Sequence, residues 1–395
     1  MLSFEEAYER VVREVTLAYK QPRVETVALD ASAGRILAKA ALADREYPAQ
    51  NRSVRDGFAV RSADLPGQLR IIGESRAGST FRGELAQGDA VEIMTGAPVP
   101  ASADCVVMVE HVQRTGDLVA IEVPAPPGQF ISFRGEEAAK GQLLVPPGKR
   151  ITYGDIAVLA ASGHAQVEVY AKPRVAILPT GDELVPVAAT PKDNQVRNSN
   201  AHSLATQVIR CGATPYTLPP ARDDEDDTFD SIERALAASD MLLLSGGVSA
   251  GTYDIVERVL SSMGAKFYFD RVAIQPGQPL VFGRVQDKFF FGLPGNPGST
   301  MVTFEVFARA AVELIGGQSE PDSRWGLGRL TQSFAHKPGL TRFLLGILSG
   351  PGDLTPLPWK GSSDIPAIAR ANVYMVANSM RSEWQAGETM PVIFK

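Results

Sequence analysis

The chain has few of the residues that mark several common protein classes. Its 395 residues include two cysteines, Cys105 and Cys211, which lie far apart and lack metal-binding spacing. This excludes a disulfide framework and a cysteine-based zinc site, and we expect both to be small buried side chains. No apolar run approaches the roughly 18 residues of a membrane helix. The amino terminus lacks the basic region and apolar core of an export signal, so we expect a cytoplasmic protein without membrane contact.

Excess positive charge is also missing. The formal net charge is −6, so the chain has no electrostatic footprint for nucleic acid, and we expect no nucleic-acid partner. The sequence contains no Walker loop, nucleophile elbow or dinucleotide fingerprint. If the ligand is a phosphate ester, its charge must be met locally, by backbone donors, a few cations or a metal ion.

The chain is long enough for several domains, since one core rarely grows beyond roughly 250–300 residues. Ser3 and Glu6 form a capping-box pattern that predicts a helix over 3–20. Between about 24 and 170, short apolar runs separated by glycine, proline and aspartate predict small β-rich domains. A further helix is predicted from Tyr153 to about 162.

Strand and helix patterns alternate from about 172 to 317, which predicts a parallel or mixed sheet with helices on both faces. After 317 the pattern is β-like and rich in proline, without a strong helix, and predicts a small barrel or sandwich. The predicted strands of the alternating region are 173–179, 214–219, 240–245, 266–272, 280–284 and 288–292, and its helices are 200–210, 224–238, 252–262 and 297–315.

Three polar loops follow predicted strands of this sheet, at 180–184, 245–254 and 293–299. Glycines let a backbone approach a ligand closely, and the free N–H groups of a following helix favour an anion. Ligands of such sheets bind beyond the carboxyl ends of the strands, so a phosphate-bearing ligand is the first hypothesis. The candidate substrate-binding residues of the second and third loops are Ser245, Gly246, Gly247, Ser249, Pro294, Gly295 and Asn296.

Acidic residues accompany the same strand ends: Glu183, Asp223 and Asp254. Carboxylates repel a phosphate unless a divalent cation lies between them, and Mg²⁺ prefers a couple of carboxylates with phosphate oxygens. The pattern indicates metal-assisted attack on a phosphate ester or anhydride. Structural explanations remain open, because Glu183 could cap a turn, and the acidic run 223–227 and Asp254 could each stabilise a helix start.

Two turns in the amino-terminal half carry further candidates. Asp56 stands directly before Gly57 in a strand-like run, and Thr95 lies in a turn braced by proline. In isolation, both segments predict only turns.

Several of these motifs occur together in the order typical of one family. They are 55–60, 93–100, 103–107, 180–184, 245–249 and 292–297. In this order the chain resembles the MoeA family, which includes the C-terminal domain of gephyrin.

The resemblance implies four domains, of which the first is split. They are a helix-containing dimerisation domain over 1–43 and 129–171, an inserted β-rich domain over 44–128, a doubly wound α/β molybdopterin-binding domain over 172–317, and a C-terminal β-barrel over 318–395.

The same resemblance implies a homodimeric enzyme of molybdenum cofactor biosynthesis. Such an enzyme binds adenylylated molybdopterin and molybdate, cleaves the pyrophosphate with a divalent cation, here Mg²⁺, and releases AMP and the cofactor. Its cleft lies between the α/β domain of one subunit and the inserted domain of the other. Transient contacts with a molybdopterin adenylyltransferase and with molybdoenzymes are expected. A non-catalytic pterin-binding scaffold and the adenylyltransferase reaction itself remain open alternatives.

Matching positions imply residue roles. Asp56, Thr95, Glu183, Asp223 and Asp254 look catalytic, the last three as metal ligands, and Ser362 resembles a functional serine or is a simple turn serine.

The chain also departs from the family pattern at its cations. Gln275 and Gln278 stand where lysines are common, and Glu137 replaces an aspartate. Only Arg342, shifted in register, remains near the position of a C-terminal arginine. Arg271 takes the place of a lysine and could clamp an oxyanion through its planar fork.

Overall fold

The computed structural model describes residues 1–18, 21–247 and 255–395. Within these ranges no helix is both long enough and apolar enough to span a bilayer.

The β structure that flanks the inserted domain is formed by two segments that lie far apart in the sequence. Thr152 and Asp155 form a capping box at the start of its helix, Tyr153–Ala161, at the position predicted. Three antiparallel pairs join the early segment to the later one, and the intervening chain forms an inserted domain. The pairs are Val24–Ala28 with Gln166–Tyr170, Ala41–Leu42 with Leu143–Val145, and Arg52–Ser53 with Ile131–Ser132.

The inserted domain is a six-stranded mixed sheet. Phe58, Val107 and Ile121 belong to its buried core. Cys105 is also buried there, and burial raises the pKa of its thiol to about 12, so it is the inert core residue that the sequence predicts. In spatial order the strands are Cys105–Met108, Gly57–Val60, Asp89–Ile93, Gly67–Ser75, Leu118–Ile121 and Gln113–Thr115.

The amino-terminal helix, Phe4–Leu17, has the capping box that Ser3 and Glu6 predict. Its apolar stripe is buried in the core of the α/β domain, and not against the β segments that follow it. The Phe4 ring lies 5.6 Å from that of Phe307 and 5.3 Å from that of Phe343, measured between centroids. This helix therefore packs against both the α/β domain and the C-terminal barrel.

The α/β domain is built on a six-stranded sheet, which confirms the predicted fold class. Alternate residues of Met241–Ser245 enter the two cores on opposite faces of the sheet, as the two-residue period of a strand requires. Four strands are parallel: Thr214–Thr217, Arg174–Pro179, Met241–Ser245 and Lys288–Leu293, in that spatial order. Two antiparallel strands complete the sheet, Val281–Val285 and Lys266–Phe269.

Helices cover both faces of this sheet. Ser199–Arg210 and the last helical segments pack on one face, and Glu225–Ala237 and Ile255–Ser262 pack on the other. The predicted helix 297–315 is interrupted, because its α-helical parts, Pro297–Thr303 and Arg309–Ile315, are joined by one π-helical segment, Phe304–Ala308.

The carboxyl-terminal region is a closed five-stranded barrel. Its strands are Thr341–Leu348, Asp353–Pro356, Trp325–Leu330, Thr389–Phe394 and Val373–Ala377, and the last pairs with the first. A short strand of the α/β domain, Ile274–Gln275, pairs with the barrel strand beside Thr341 and Arg342. The prediction of no helix here misses Ile365–Arg370, whose six residues are too few to show a period.

Candidate active site

A cavity of about 510 Å³ lies at the carboxyl ends of the parallel strands. This is where a doubly wound sheet places its ligand. The cavity brings together seven of the residues predicted from the sequence. They are Glu183, Asp223, Gly246, Gly247, Pro294, Gly295 and Asn296.

In the first loop, the exposed carboxylate of Glu183 lies over the turn at Gly181. Gly181 has a φ of +133°, and a Cβ at this position would overlap the carboxylate of Glu183. The backbone conformation at Gly181 therefore disfavours any side chain there, whereas the exposed carboxylate of Glu183 could move aside. The backbone of Glu183 is fixed in turn, since its carbonyl accepts a 2.9 Å hydrogen bond from Val196 N.

The acidic run after Thr214–Thr217 divides into two functions. Asp224 is the N-cap of Glu225–Ala237, and its side chain accepts a 3.0 Å hydrogen bond from Asp227 N. Asp223, one residue earlier, lines the cavity instead. The helix-start explanation therefore holds for Asp224, whereas Asp223 lies where it can contact a ligand in the cavity.

The second loop packs directly on the first. Gly246 has a φ of +96°, and a Cβ there would lie 2.7 Å from the carbonyl oxygen of Thr180. Only glycine permits this approach of two backbones. Thr180 is one of the residues that line the cavity and is 5% exposed, and its hydroxyl oxygen is buried beside Gly246 and Gly247. Among the described residues, this oxygen has no hydrogen-bond partner.

Sequence reasoning missed two polar residues here, Thr180 and Asn200. Thr180 is the first residue of the predicted loop 180–184, so its position in that motif could have identified it. Asn200 stands behind the cavity wall, where its Nδ2 donates to Ser245 Oγ at 2.9 Å and to the Gly295 carbonyl at 2.8 Å. In sequence it appears only as part of a helix start.

Asp56 and Thr95 meet in the inserted domain. The backbone N–H of Thr95 donates to Asp56 Oδ1 at 2.6 Å, and the Thr95 hydroxyl donates to the same oxygen at 2.8 Å. These two donors, the backbone one first, lower the pKa of the Asp56 carboxyl below its ordinary value. The pair does not line the strand-end cavity within this chain.

A second cavity, of about 440 Å³, lies between the α/β domain and the barrel. Ser362 lines it and is anchored by its carbonyl, which accepts a 2.7 Å hydrogen bond from Gly298 N. Its other polar side chains are Gln275, Gln278, Ser299, Arg342 and Trp359. Pro279 lines this cavity and the first one, so the two are adjacent.

Two further predicted residues, Ser245 and Arg271, line neither of these cavities. Arg271 is exposed. Burial and the nearby charge of Asp270 raise the pKa of Glu257, and the charge of Arg271 partly offsets that rise. Ser249 and Asp254 fall outside the residues that the structure describes.

Sequence profiles match three successive parts of the chain. The profile described as "MoeA N-terminal region (domain I and II)" matches residues 2–163, "Probable molybdopterin binding domain" matches 176–313, and "MoeA C-terminal region (domain IV)" matches 328–395. These three matches place the chain in the class of multidomain proteins of molybdenum cofactor biosynthesis.

Individual relatives narrow this class. The chain is 34% identical to the molybdopterin molybdenumtransferase of Bacillus subtilis (strain 168), over 98% of this chain and 93% of that protein. It is 32% identical to the enzyme of the same name in Staphylococcus aureus (strain MSSA476), over 98% of this chain and 94% of that one. The chain therefore belongs to the MoeA family of enzymes, which confirms the resemblance found in its motifs.

Solved structures agree with this assignment. A crystal structure of the molybdopterin biosynthesis moeA protein from Pyrococcus horikoshii OT3 aligns over 100% of both chains, with a TM-score of 0.83 and 25% identity. Another structure of a Pyrococcus moeA protein aligns over 100% of this chain and 99% of that one, with a TM-score of 0.75 and 29% identity. The overall fold of the chain is thus shared with solved moeA proteins.

Proposed function

We propose that the protein inserts molybdate into adenylylated molybdopterin, with cleavage of the pyrophosphate and release of AMP and molybdenum cofactor. One observation carries this proposal: a single cavity combines two close glycine loops with the carboxylates of Glu183 and Asp223. Glycine loops suit a phosphate, whereas the carboxylates alone would repel it. The combination suits a phosphate that is bound together with a cation.

The loops supply donors for the anionic part of the substrate. Gly246, Gly247 and Gly295 expose backbone to the cavity at the ends of two neighbouring strands. Thr180 also lines the cavity, and its buried hydroxyl lies beside these glycines without a hydrogen-bond partner among the described residues. Ile255, Val256 and Pro294 add apolar surface against which a ring system can pack.

Glu183 and Asp223 are the residues proposed to hold Mg²⁺. Both line one cavity, and Mg²⁺ is usually bound by one or two carboxylates with substrate phosphates and water. Among the described residues, no group of three or more histidine, cysteine or acidic side chains could hold a metal ion, so the proposed ion would take its remaining ligands from the substrate and water. Asp254 remains the predicted third ligand. Bound there, Mg²⁺ would polarise the phosphoryl oxygens.

The second cavity is proposed to receive molybdate. Its guanidinium, Arg342, comes from the barrel, and the amides of Gln275 and Gln278 can donate hydrogen bonds without adding charge. The buried indole N–H of Trp359 is a further donor, without a partner among the described residues. Pro279 in the shared wall keeps this oxyanion next to the pterin-binding cavity.

The proposal includes a cytoplasmic homodimer. The Asp56–Thr95 turn carries a carboxylate with a lowered pKa, which stays ionised at neutral pH, but it lies on the inserted domain. In the proposed dimer this turn of one subunit faces the strand-end cavity of the other. Transient contacts with a molybdopterin adenylyltransferase and with molybdoenzymes complete the proposal, since the substrate must arrive and the cofactor must leave.

One assay tests the reaction. Purified protein is incubated with adenylylated molybdopterin, Mg²⁺ and molybdate, and we expect AMP together with cofactor that activates a molybdenum-free molybdoenzyme. Binding of the substrate without AMP release would instead support a scaffold. Adenylylation of free molybdopterin by ATP would support the adenylyltransferase reaction.

A further inference from the structure

Asn200 connects the two glycine loops of the strand-end cavity from behind. It is the second residue of the helix Ser199–Arg210 and does not line the cavity. Its Nδ2 donates to Ser245 Oγ, at the end of one strand, and to the carbonyl of Gly295, in the loop after the next strand. One side chain therefore joins two loops that both face the ligand.

The chemistry of these two bonds is specific to an amide. The Nδ2 group has two hydrogens and no acceptor, so Ser245 Oγ and the Gly295 carbonyl must both accept. A carboxylate in this place would set oxygen against the Gly295 carbonyl. Ser245 is 3% exposed and does not line the cavity, so its hydroxyl is committed to Asn200 and not to the ligand.

The helix that carries Asn200 is itself anchored near the same loop. Gln207, two turns later, donates through Nε2 to the Met301 carbonyl at 3.1 Å and to Glu305 Oε1 at 2.9 Å. Met301 belongs to Pro297–Thr303, the helix that directly follows the Gly295 loop. Leu204 lies between the two anchors and is fully buried. The position of Asn200 is thus fixed relative to the loop that it holds.

We infer that Asn200 is a positioning residue that sets the spacing of the two glycine loops, and that Ser245 acts through Asn200. This inference rests on the proposed function, because the loops matter only if one ligand contacts both. Donors aimed at one anion act most strongly when their geometry is fixed before the ligand binds. Without Asn200 the ligand would have to order the loops itself, which weakens binding more than the chemical step.

The first experiment replaces the bridge. In Asn200→Ala we expect KM for adenylylated molybdopterin to rise by about tenfold, the effect of roughly two lost hydrogen bonds, while kcat stays within about threefold. His202→Ala is the matched control, because His202 is an exposed side chain on the same helix. The thermal unfolding midpoints of both variants are also measured. A change in KM is then attributed to the bridge only if the variant is as stably folded as the wild type.

Two further variants separate this role from general loss of structure. Asn200→Asp keeps the shape but cannot donate to Gly295, and we expect a rise in KM at least as large as in the alanine variant. Ser245→Ala should raise KM, and the double variant with Asn200→Ala should match Asn200→Ala alone. If the two effects multiply, Ser245 contacts the ligand independently and the second half of the inference is wrong.

The outcome also distinguishes this inference from the proposed function. A wild-type enzyme that releases no AMP overturns the proposed reaction. An active wild type with unchanged KM in both Asn200 variants overturns the positioning role. Titration calorimetry with AMP and Mg²⁺ on the same proteins tests the loop spacing even without turnover: a weaker affinity in both Asn200 variants supports the inference, and an equal affinity contradicts it.

Discussion

The two adjacent cavities are built in different ways. The strand-end cavity is formed by loops of one domain and has exposed carboxylates, Glu183 and Asp223, on its wall. The interdomain cavity needs the barrel as its second wall, and its polar residues are mostly neutral donors with one guanidinium, Arg342. Local turns thus suffice to build the proposed cation-and-phosphate site, whereas the proposed oxyanion site depends on how two domains pack.

The largest loss of activity should follow the removal of a carboxylate from the wall of the strand-end cavity. Glu183→Gln keeps the size of the side chain but removes its charge, and we expect AMP release to fall by at least about a hundredfold, as for loss of one electrostatic contact to a transition state. Asp226→Asn, in the first turn of Glu225–Ala237, is the control. AMP release is followed by chromatography, and activity near the wild-type level in Glu183→Gln would remove Glu183 from the site.

The next test uses two neighbouring aspartates with opposite expectations. Asp223→Ala should raise the Mg²⁺ concentration for half-maximal activity by about 10–100-fold, a range typical of weakened metal sites. Asp224→Ala removes an N-cap and should cost about 1 kcal/mol of unfolding free energy, with little change in Mg²⁺ dependence. Magnesium titrations and urea unfolding check the pair. Equal Mg²⁺ dependence in both variants would contradict the division of this acidic run.

The interdomain cavity should bind molybdate less tightly when a positive charge is removed and more tightly when one is added. Arg342→Ala should raise KM for molybdate by about tenfold, and Gln278→Lys should lower it by a few fold, since charged donors bind anions more strongly than neutral ones. KM for adenylylated molybdopterin should stay unchanged in both. Steady-state kinetics with each substrate varied in turn measures this, and parallel changes for both substrates would mean that the cavities do not divide the ligands.

The smallest expected effect concerns the carboxylate outside both cavities. Because Thr95 donates to Asp56, the folded-state pKa of Asp56 lies below the ordinary value, and the resulting stabilisation is present above that value and is lost as pH falls through the lowered pKa. Thr95→Val keeps the backbone donor, so the pKa should rise only part of the way. Carboxyl NMR titration measures it, with exposed Thr80→Val as control. An unshifted pKa in the variant would show that the hydroxyl contributes nothing.

The sequence predicts the strand-end cavity better than the interdomain one, for a physical reason. Glycines and acids that follow buried strands are brought together by the sheet itself, so Gly246, Gly295 and Glu183 meet as expected. Asp223 and Asp224 are adjacent residues of the same type, so the sequence does not distinguish them. Only the backbone conformation at the start of the helix makes one of them the N-cap. Asn200 was missed because a residue that acts through hydrogen bonds to other loops has no periodic or local signature.

Other details of the fold depend on contacts that a sequence pattern does not contain. The π-helical segment Phe304–Ala308 keeps the apolar spacing of a helix, so the pattern predicts one continuous helix there. Arg271 follows the strand Lys266–Phe269 closely in sequence, yet it is exposed and lines neither cavity. Ser362 reaches the second cavity only because the barrel docks on the α/β domain, which local propensity does not encode.

The pairing of Ile274–Gln275 with the barrel strand links the barrel to the wall between the two cavities. The segment that follows this strand runs directly to Pro279, the residue common to both walls. A substitution that shifts the barrel strand beside Ile274–Gln275 is therefore expected to move Pro279, and with it the wall that the two cavities share.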